Sequence, residues 1–317
     1  MALSIFSSEK RVLLTFVTAI LITALLALLN VAIYLEFAKG KDGTEAEKKF
    51  WRGKVKTKQQ YDMVFTGDSR TLCGIDPQIF DDLLGNKSYN AAFTGGGINK
   101  EILEHIDRNL LNKNGAEKAV ILGITPMSMA ANSRGNGHYS MLKKELKEKE
   151  SIFSEWLEIL FSEIRTKEIK ELFRKRVPDK IYHRNGYLEK ISAVKPKARR
   201  SNLHGYKVYF NDYTFSPESV KEILFYAEQW KKENVTVFAF RLPTMPEMDV
   251  LEDSFCKESI DSFRKHLIAA GGVWLEVKDR SKYNSYDGSH LERTDAGKLS
   301  HDLAEQIKKY FDNAKCL

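Results

Sequence analysis

The sequence predicts an α/β protein with a five-stranded parallel sheet, preceded by one N-terminal transmembrane helix. Short apolar segments alternate with segments of helical spacing, which is typical of parallel strands joined by right-handed crossover helices. A long apolar run lies near the N-terminus. A Gly-Asp-Ser turn follows the first apolar segment, as expected at the carboxyl edge of an open sheet. The predicted strands are residues 61–66, 88–93, 119–124, 235–240 and 273–277.

Helical segments separate these strands. Residues 99–111 carry apolar side chains at helical spacing, which predicts a helix with one buried face. The pair Gly271-Gly272 is expected to end the helix before the last strand. The other predicted helices are residues 78–84, 217–232, 252–270 and 293–311.

Residues 130–205 interrupt the alternation and are interpreted as an insertion. Within it, residues 142–175 are strongly helical, and their apolar stripe is interpreted as core or cap packing. A basic tract follows between Arg174 and Arg200. Such a tract is usually solvated, although it also suits lipid headgroups or an anionic polymer.

Composition excludes some function classes. The 317 residues include 50 Lys and Arg against 43 Asp and Glu, so the surface is mixed with a modest basic surplus. That surplus fits an acidic membrane surface or an anionic glycan, and no nucleic-acid-binding signature accompanies it. The three cysteines do not form a disulfide scaffold, and whether Cys73 and Cys256 form a bridge is left open. No Cys or His spacing resembles a zinc site, so neither a metal nor a cofactor is expected.

The apolar run at residues 12–34 is interpreted as an uncleaved anchor that is long enough to cross a bilayer. A cleaved signal peptide is the alternative, but the run exceeds a usual h-region and lacks a clear small-x-small site. Residues 1–37 then form the cytoplasmic stub and anchor, residues 38–60 a linker and residues 61–317 the main domain. Basic residues are more numerous after the run than before it, and this count alone favours a cytoplasmic main domain.

Ser69 is the candidate nucleophile. It follows the buried run Met63–Phe65 in the turn Gly67-Asp68-Ser69, although these residue types also favour ordinary turns. A serine nucleophile needs a general base and a group that orients that base. Asp287 and His290 stand after the last predicted strand, so they are expected at the same sheet edge as Ser69.

An oxyanion hole is the third requirement of such chemistry. The backbone N–H of Ser69 is one candidate donor. The turn after the second strand offers the N–H of Gly95 at the same edge. Residues 95–97 are also a candidate phosphate cradle, but no Gly-Lys-Ser/Thr follows them.

Together these motifs resemble the SGNH (GDSL) hydrolase superfamily, from about residue 61 to the end apart from the insertion. The resemblance implies a flavodoxin-like three-layer sandwich. It also implies Ser69 as nucleophile, His290 as base, Asp287 as its orienting acid, and Ser69 and Gly95 as oxyanion donors. The phrases GDSR…GIDP and DGSHL, with the apolar run, are similar to a membrane-anchored envelope branch of DltD-like proteins and partners of membrane-bound O-acyltransferases.

One block departs from the family pattern. The expected Gly-x-Asn-Asp is replaced by residues 123–126, in which Thr125 stands where the family has its oxyanion Asn. The Thr125 hydroxyl is therefore the candidate third donor, with Asn132 as an alternative. Arg70 and Arg241, each just past a strand, are candidates for binding an anionic substrate or for a rim salt bridge, and Asn90 is a further substrate-binding candidate.

The leading hypothesis is a membrane-anchored serine acyl-ester hydrolase or O-acyltransferase that acts on an envelope glycan or acyl carrier. The resemblance puts its domain on the periplasmic or extracellular side, against the charge count. The rival hypothesis is a non-catalytic SGNH-like protein that binds envelope polysaccharide or a membrane acyltransferase. A simple lipid-type esterase working near the membrane is the third.

Overall fold

The structure is a computed structural model that describes residues 12–25, 45–115, 117–131, 137–148, 180–191 and 196–315. The chain divides into two compact units, residues 1–48 with 145–178 and residues 49–144 with 179–317. In the first unit, residues 12–25 form a helix whose large apolar side chains are exposed. Residues 26–34 of the predicted anchor lie outside the described residues.

Among the residues that the structure describes, no helix has both the length and the hydropathy needed to cross a bilayer.

The second unit is built on a five-stranded parallel sheet, as predicted. Its spatial order is β2-β1-β3-β6-β7, with every neighbouring pair parallel. Counted along the sheet strands alone, this is the flavodoxin-like order 2-1-3-4-5. The strands are β1 (Met63–Thr66), β2 (Ser88–Asn90), β3 (Lys118–Ile124), β6 (Val235–Arg241) and β7 (Val273–Trp274).

Helices cover both faces of this sheet, so the central strands are buried on both sides. Side chains alternate along β1, where Met63 and Phe65 belong to one apolar cluster and Val64 to the other. The first cluster includes α3 (Pro77–Leu84) and α9 (Arg293–Lys315). The second includes α1 (Glu45–Lys56), α4 (Lys100–His105, continued by a π-turn at Ile106–Leu110), α7 (Pro217–Lys232) and α8 (Pro246–Ala269).

Helix ends follow local chemistry. Asp76 caps α3 by accepting the backbone N–H of Gln78, and Pro77 starts the helix where no N–H is needed. At the end of α8 the N–H of Gly272 donates to the carbonyl of Leu267, and Gly271 has φ +92°. This is the C-cap expected for the Gly-Gly pair, because a left-handed residue is easiest for glycine.

The predicted linker at residues 38–60 differs from the structure, because most of its described part is helix α1. Phe50, Trp51 and Lys54 share one face of α1 and are buried. The Lys54 ammonium donates to the carbonyl of Asn90, which is the last residue of β2. Burial lowers the pKa of Lys54 well below its ordinary value. This helix was not predicted because most of its residues are charged and its apolar face is short.

The inserted region contains three further elements. They are α5 (Gly137–Glu148), an antiparallel hairpin of β4 (Lys180–Tyr182) and β5 (Leu188–Lys190), and α6 (Pro196–Phe210). Helix α6 was not predicted, because its sequence was interpreted as a basic tract. The predicted helix at residues 142–175 is described only as far as residue 148, and the rest lies outside the described residues.

The thiols of Cys73 and Cys256 are both free and buried. Burial raises the pKa of each to about 12, so both are neutral at physiological pH.

Candidate active site

The Gly67-Asp68-Ser69 turn connects β1 to a short helix, α2 (Ser69–Gly74). Gly67 is required by space, because a Cβ there would lie 2.2 Å from the Thr71 Oγ1 atom. Asp68 caps α2, and its Oδ1 accepts the backbone N–H of Arg70 at 2.9 Å. Ser69 is therefore the first residue of a capped helix at the carboxyl edge of the sheet, and it remains partly exposed.

Asp287 and His290 lie on the loop between β7 and α9. The Oδ1 atom of Asp287 accepts the backbone N–H groups of Ser289 at 3.0 Å and His290 at 2.8 Å. Gly288 between them has φ +92°, and a Cβ there would lie 2.9 Å from the Met245 side chain. Both the sharp turn and the close approach therefore require glycine at this position.

These two residues and Ser69 form one hydrogen-bonded line. His290 Nδ1 is 2.9 Å from Asp287 Oδ2, and His290 Nε2 is 2.8 Å from Ser69 Oγ. The serine and the histidine are 221 positions apart in the chain, so their contact is a product of the fold. The geometry is that of a nucleophile, a base and an orienting carboxylate.

The charge state of Asp287 follows from its surroundings. Burial by itself would raise the pKa of Asp287, but the hydrogen bonds and charge of His290 lower it to about 2. An ionised carboxylate can only accept hydrogen bonds, so His290 Nδ1 must be the donor. In the neutral ring Nε2 is then free to accept the Ser69 hydroxyl proton, as a general base requires.

The backbone N–H groups of Ser69 and Gly95 are the two predicted oxyanion donors. Strands β1 and β2 are parallel neighbours, so the loops after them begin at the same edge of the sheet. Ser69 lies in the first loop and Gly95 in the second. Neither backbone N–H donates a hydrogen bond to any residue that the structure describes. Their roles as oxyanion donors stay predictions.

Comparisons with known proteins add little to this geometry. No family model matches the chain, and no curated protein matches it. One similar solved structure is a lipase/acylhydrolase from Enterococcus faecalis, with 11% identity over 80% of this chain and 96% of that chain, at a TM-score of 0.39. Another is a GDSL-like lipase from Bacteroides thetaiotaomicron, with 10% identity over 80% of this chain and 89% of that chain, at a TM-score of 0.35. At these TM-scores neither likeness carries an argument about this chain.

The hydroxyl of Thr125 is not available as an oxyanion donor, because it is already hydrogen-bonded within the protein. Its buried hydroxyl donates to Asp68 Oδ2 and accepts the backbone N–H of Ser128 at 2.9 Å. A hydroxyl has one proton, and here the Asp68 carboxylate holds it. The expected oxyanion role of Thr125 is therefore corrected to a structural one. The alternative donor, Asn132, lies outside the described residues.

Asn90 is likewise structural and does not face a substrate. It is fully buried, and its Nδ2 donates to the carbonyls of Thr71 and Ile75, each at 2.9 Å. Its Oδ1 accepts the N–H of Ala92 at 3.1 Å. The amide NH2 thus holds α2 against the end of β2 and the amide oxygen binds the following loop, which corrects the substrate-binding prediction.

The two candidate arginines, Arg70 and Arg241, both form ion pairs within the protein. Arg70 is buried, its Nη1 lies 2.6 Å from Glu252 Oε1, and its Nε donates to Ser289 Oγ at 2.8 Å. Burial by itself would lower the pKa of Arg70, but the Glu252 carboxylate raises it above its ordinary value. Arg241 pairs with Asp253 and lies 3.5 Å from Glu252. For these two residues the salt-bridge alternative is therefore the one that the structure supports.

Sequence reasoning missed several residues that support the site. Glu252 was predicted only as the first residue of a helix, and it is buried between Arg70 and Arg241. Ser289 was noted only as part of a loop motif, yet its buried hydroxyl contacts Arg70 and Tyr206. No signal in the sequence pairs Glu252 with Arg70. For Tyr206, the spacing of polar residues in α6 would have indicated one polar face of a helix, but not the partner of that face.

Proposed function

We propose that this chain is a serine acyl-ester hydrolase or acyltransferase of the SGNH type. The observation that carries the proposal is the continuous line from Asp287 through His290 to Ser69, with contacts of 2.9 and 2.8 Å. These three residue types in this order supply the nucleophile, the general base and the orienting carboxylate of acyl transfer. No other group needs to move for the serine proton to reach its base.

In the proposed reaction, Ser69 Oγ attacks the carbonyl carbon of an ester while His290 Nε2 takes the hydroxyl proton. The tetrahedral oxyanion is stabilised by the free N–H groups of Ser69 and Gly95. Collapse expels the alcohol, which takes the proton from His290, and leaves an acyl group on Ser69. Water completes hydrolysis, and an acceptor hydroxyl completes transfer, by the same steps in reverse.

The finer proposal is a membrane-anchored enzyme acting on an envelope glycan or acyl carrier, outside the cytoplasmic membrane, with a membrane-bound O-acyltransferase as its partner. It is supported by the apolar run at residues 12–34, the basic surplus and the resemblance of the motifs. A reporter fused after Leu317 tests the location. Alkaline phosphatase should be active in that fusion, and an inactive phosphatase with an active cytoplasmic reporter would contradict the proposal.

Hydrolysis of p-nitrophenyl acyl esters by the full chain tests the reaction. Wild type should release p-nitrophenol, and Ser69→Ala should reduce the rate at least about a thousandfold because the nucleophile is absent. Ser254→Ala is a matched control, since Ser254 is exposed on α8 and its hydroxyl bonds only its own helix. Equal rates in all three proteins would show that the activity does not use Ser69.

A non-catalytic accessory protein is the second candidate. One observation favours it: the Thr125 hydroxyl is bonded to Asp68, so Thr125 does not replace the side-chain oxyanion donor of the family pattern. Loss of one such donor costs about a hundred- to a thousandfold in rate. If this alternative holds, cells that carry only the Ser69→Ala variant should keep the wild-type envelope phenotype. Cells that carry only a variant lacking residues 140–200 should lose it.

A further inference from the structure

One face of helix α6 contacts the catalytic loop at three successive points. Arg199 donates through Nε to the carbonyl of Ser285 at 3.1 Å, and Asn202 donates through Nδ2 to the carbonyl of Asp287 at 3.1 Å. Tyr206 is hydrogen-bonded to Ser289 at 2.9 Å between the two hydroxyl oxygens. The spacing of three and four residues places all three side chains on one side of a helix.

The third contact continues to the nucleophile turn. Ser289 Oγ accepts a hydrogen bond from Nε of Arg70, which directly follows Ser69. The guanidinium of Arg70 also lies over the Tyr206 ring, 5.3 Å from its centroid. Tyr206 thus touches both the loop that carries the base and the turn that carries the nucleophile. Ser289 and Arg70 are almost fully buried, so these contacts are shielded from competing water.

We infer that Asn202 and Tyr206 are positioning residues for the proposed triad, and that α6 clamps the Asp287–His290 loop in the reactive geometry. The inference rests on the proposed function of Ser69, His290 and Asp287. Neither side chain touches a reacting atom. They act by fixing the carbonyl of Asp287 and the hydroxyl of Ser289, which flank the turn that aims the imidazole. A displacement of about 1 Å at such a loop can cost about a hundredfold in rate.

The test uses isosteric variants that remove one hydrogen bond each. Asn202→Leu replaces the amide by an uncharged apolar group of similar size, and Tyr206→Phe removes the hydroxyl but keeps the ring over Arg70. Lys207→Ala is the matched control on α6, because Lys207 is exposed. The second-order rate constant for Ser69 modification by a fluorophosphonate is measured for each full-length protein, with kcat and KM for a p-nitrophenyl ester.

Each single variant should react about tenfold more slowly than wild type and the double variant about a hundredfold, with KM within twofold. The control should stay within twofold of wild type. Active-site titration separates positioning from folding, because partial unfolding lowers the fraction that labels but not the rate constant of the labelled fraction. Wild-type rate constants in the double variant would overturn the clamp while leaving the proposed function intact. Failure of wild type itself to label would contradict the proposed function, and the clamp with it.

Discussion

The side-chain hydroxyl of Thr125 donates a hydrogen bond to the carboxylate of Asp68, the residue immediately before Ser69. This contact joins the end of β3 to the turn after β1. Asp68 uses its other oxygen to cap α2, which Ser69 begins. Thr125 stands where the family resemblance implies an oxyanion donor. In the structure its side chain instead stabilises the turn that carries Ser69.

Thr125→Val tests this structural assignment. The isosteric change leaves a buried carboxylate oxygen of Asp68 without its donor, which should lower the free energy of unfolding by about 1–3 kcal/mol. Activity per folded molecule should fall less than about tenfold, since no oxyanion donor is lost. Urea denaturation and active-site-titrated kinetics measure the two effects.

Thr236→Val is the control for the Thr125 variant, because Thr236 lies partly exposed on β6. It should change the unfolding free energy by less than about 0.5 kcal/mol. A loss of a hundredfold or more in kcat for Thr125→Val, with unchanged stability, would instead identify Thr125 as an oxyanion donor.

The lowered pKa of Asp287 predicts a specific pH dependence of stability. Its folded-state pKa of about 2 lies below the ordinary value of 3.8, so the ionised group stabilises the fold above pH 4. That contribution is lost as pH falls through about 4 towards 2. Between pH 5 and pH 2.5, wild type should therefore lose about 1.5 kcal/mol more unfolding free energy than Asp287→Asn.

Asp312→Asn is the matched comparison for the acid experiment, because Asp312 is exposed on α9. It should lose as much stability on acidification as wild type. If Asp287→Asn also follows the wild-type curve, then the carboxylate is not held by His290 in solution.

The buried pair of Arg70 and Glu252 predicts non-additive mutations. Both side chains are about 98–99% buried, so removing the Glu252 charge leaves the Arg70 guanidinium without its carboxylate partner, at a cost of about 3–5 kcal/mol. Glu252→Gln should show this cost in urea denaturation. The double variant Arg70→Met, Glu252→Leu should be more stable than Glu252→Gln, because it leaves no charge of this pair unpaired. Additive losses would mean that the two charges do not interact.

Much of the site could be predicted because a parallel sheet brings the ends of its strands to one edge. Ser69 and Asp287 follow different strands of one parallel sheet, so their order along the chain was enough to predict that their loops meet at one edge. The same rule does not say which way a side chain points. Asn90 ends β2 and Arg70 lies just after β1, but their side chains turn inward to Thr71 and Glu252.

Helix α6 illustrates what the sequence could not show. It was not predicted because its four Lys and Arg side chains and Gly205 are also typical of a loop, although one polar face binds the catalytic loop. Even a correct helix assignment would not say that Tyr206 meets Ser289, because the partner is 83 positions away in the chain. The linker assignment missed α1 in the same way, because burial of Lys54 depends on aromatic partners from β2 and the loop after it.

Covalent labelling of the full-length protein with a fluorophosphonate tests the central claim most directly. Attack by Ser69 Oγ on phosphorus expels fluoride and leaves a stable adduct, which intact mass and peptide mapping locate. The account predicts one adduct per molecule on Ser69, absent in Ser69→Ala and formed at least about a thousandfold more slowly in His290→Ala. A folded wild type that forms no adduct, or an adduct that persists in Ser69→Ala, would contradict it.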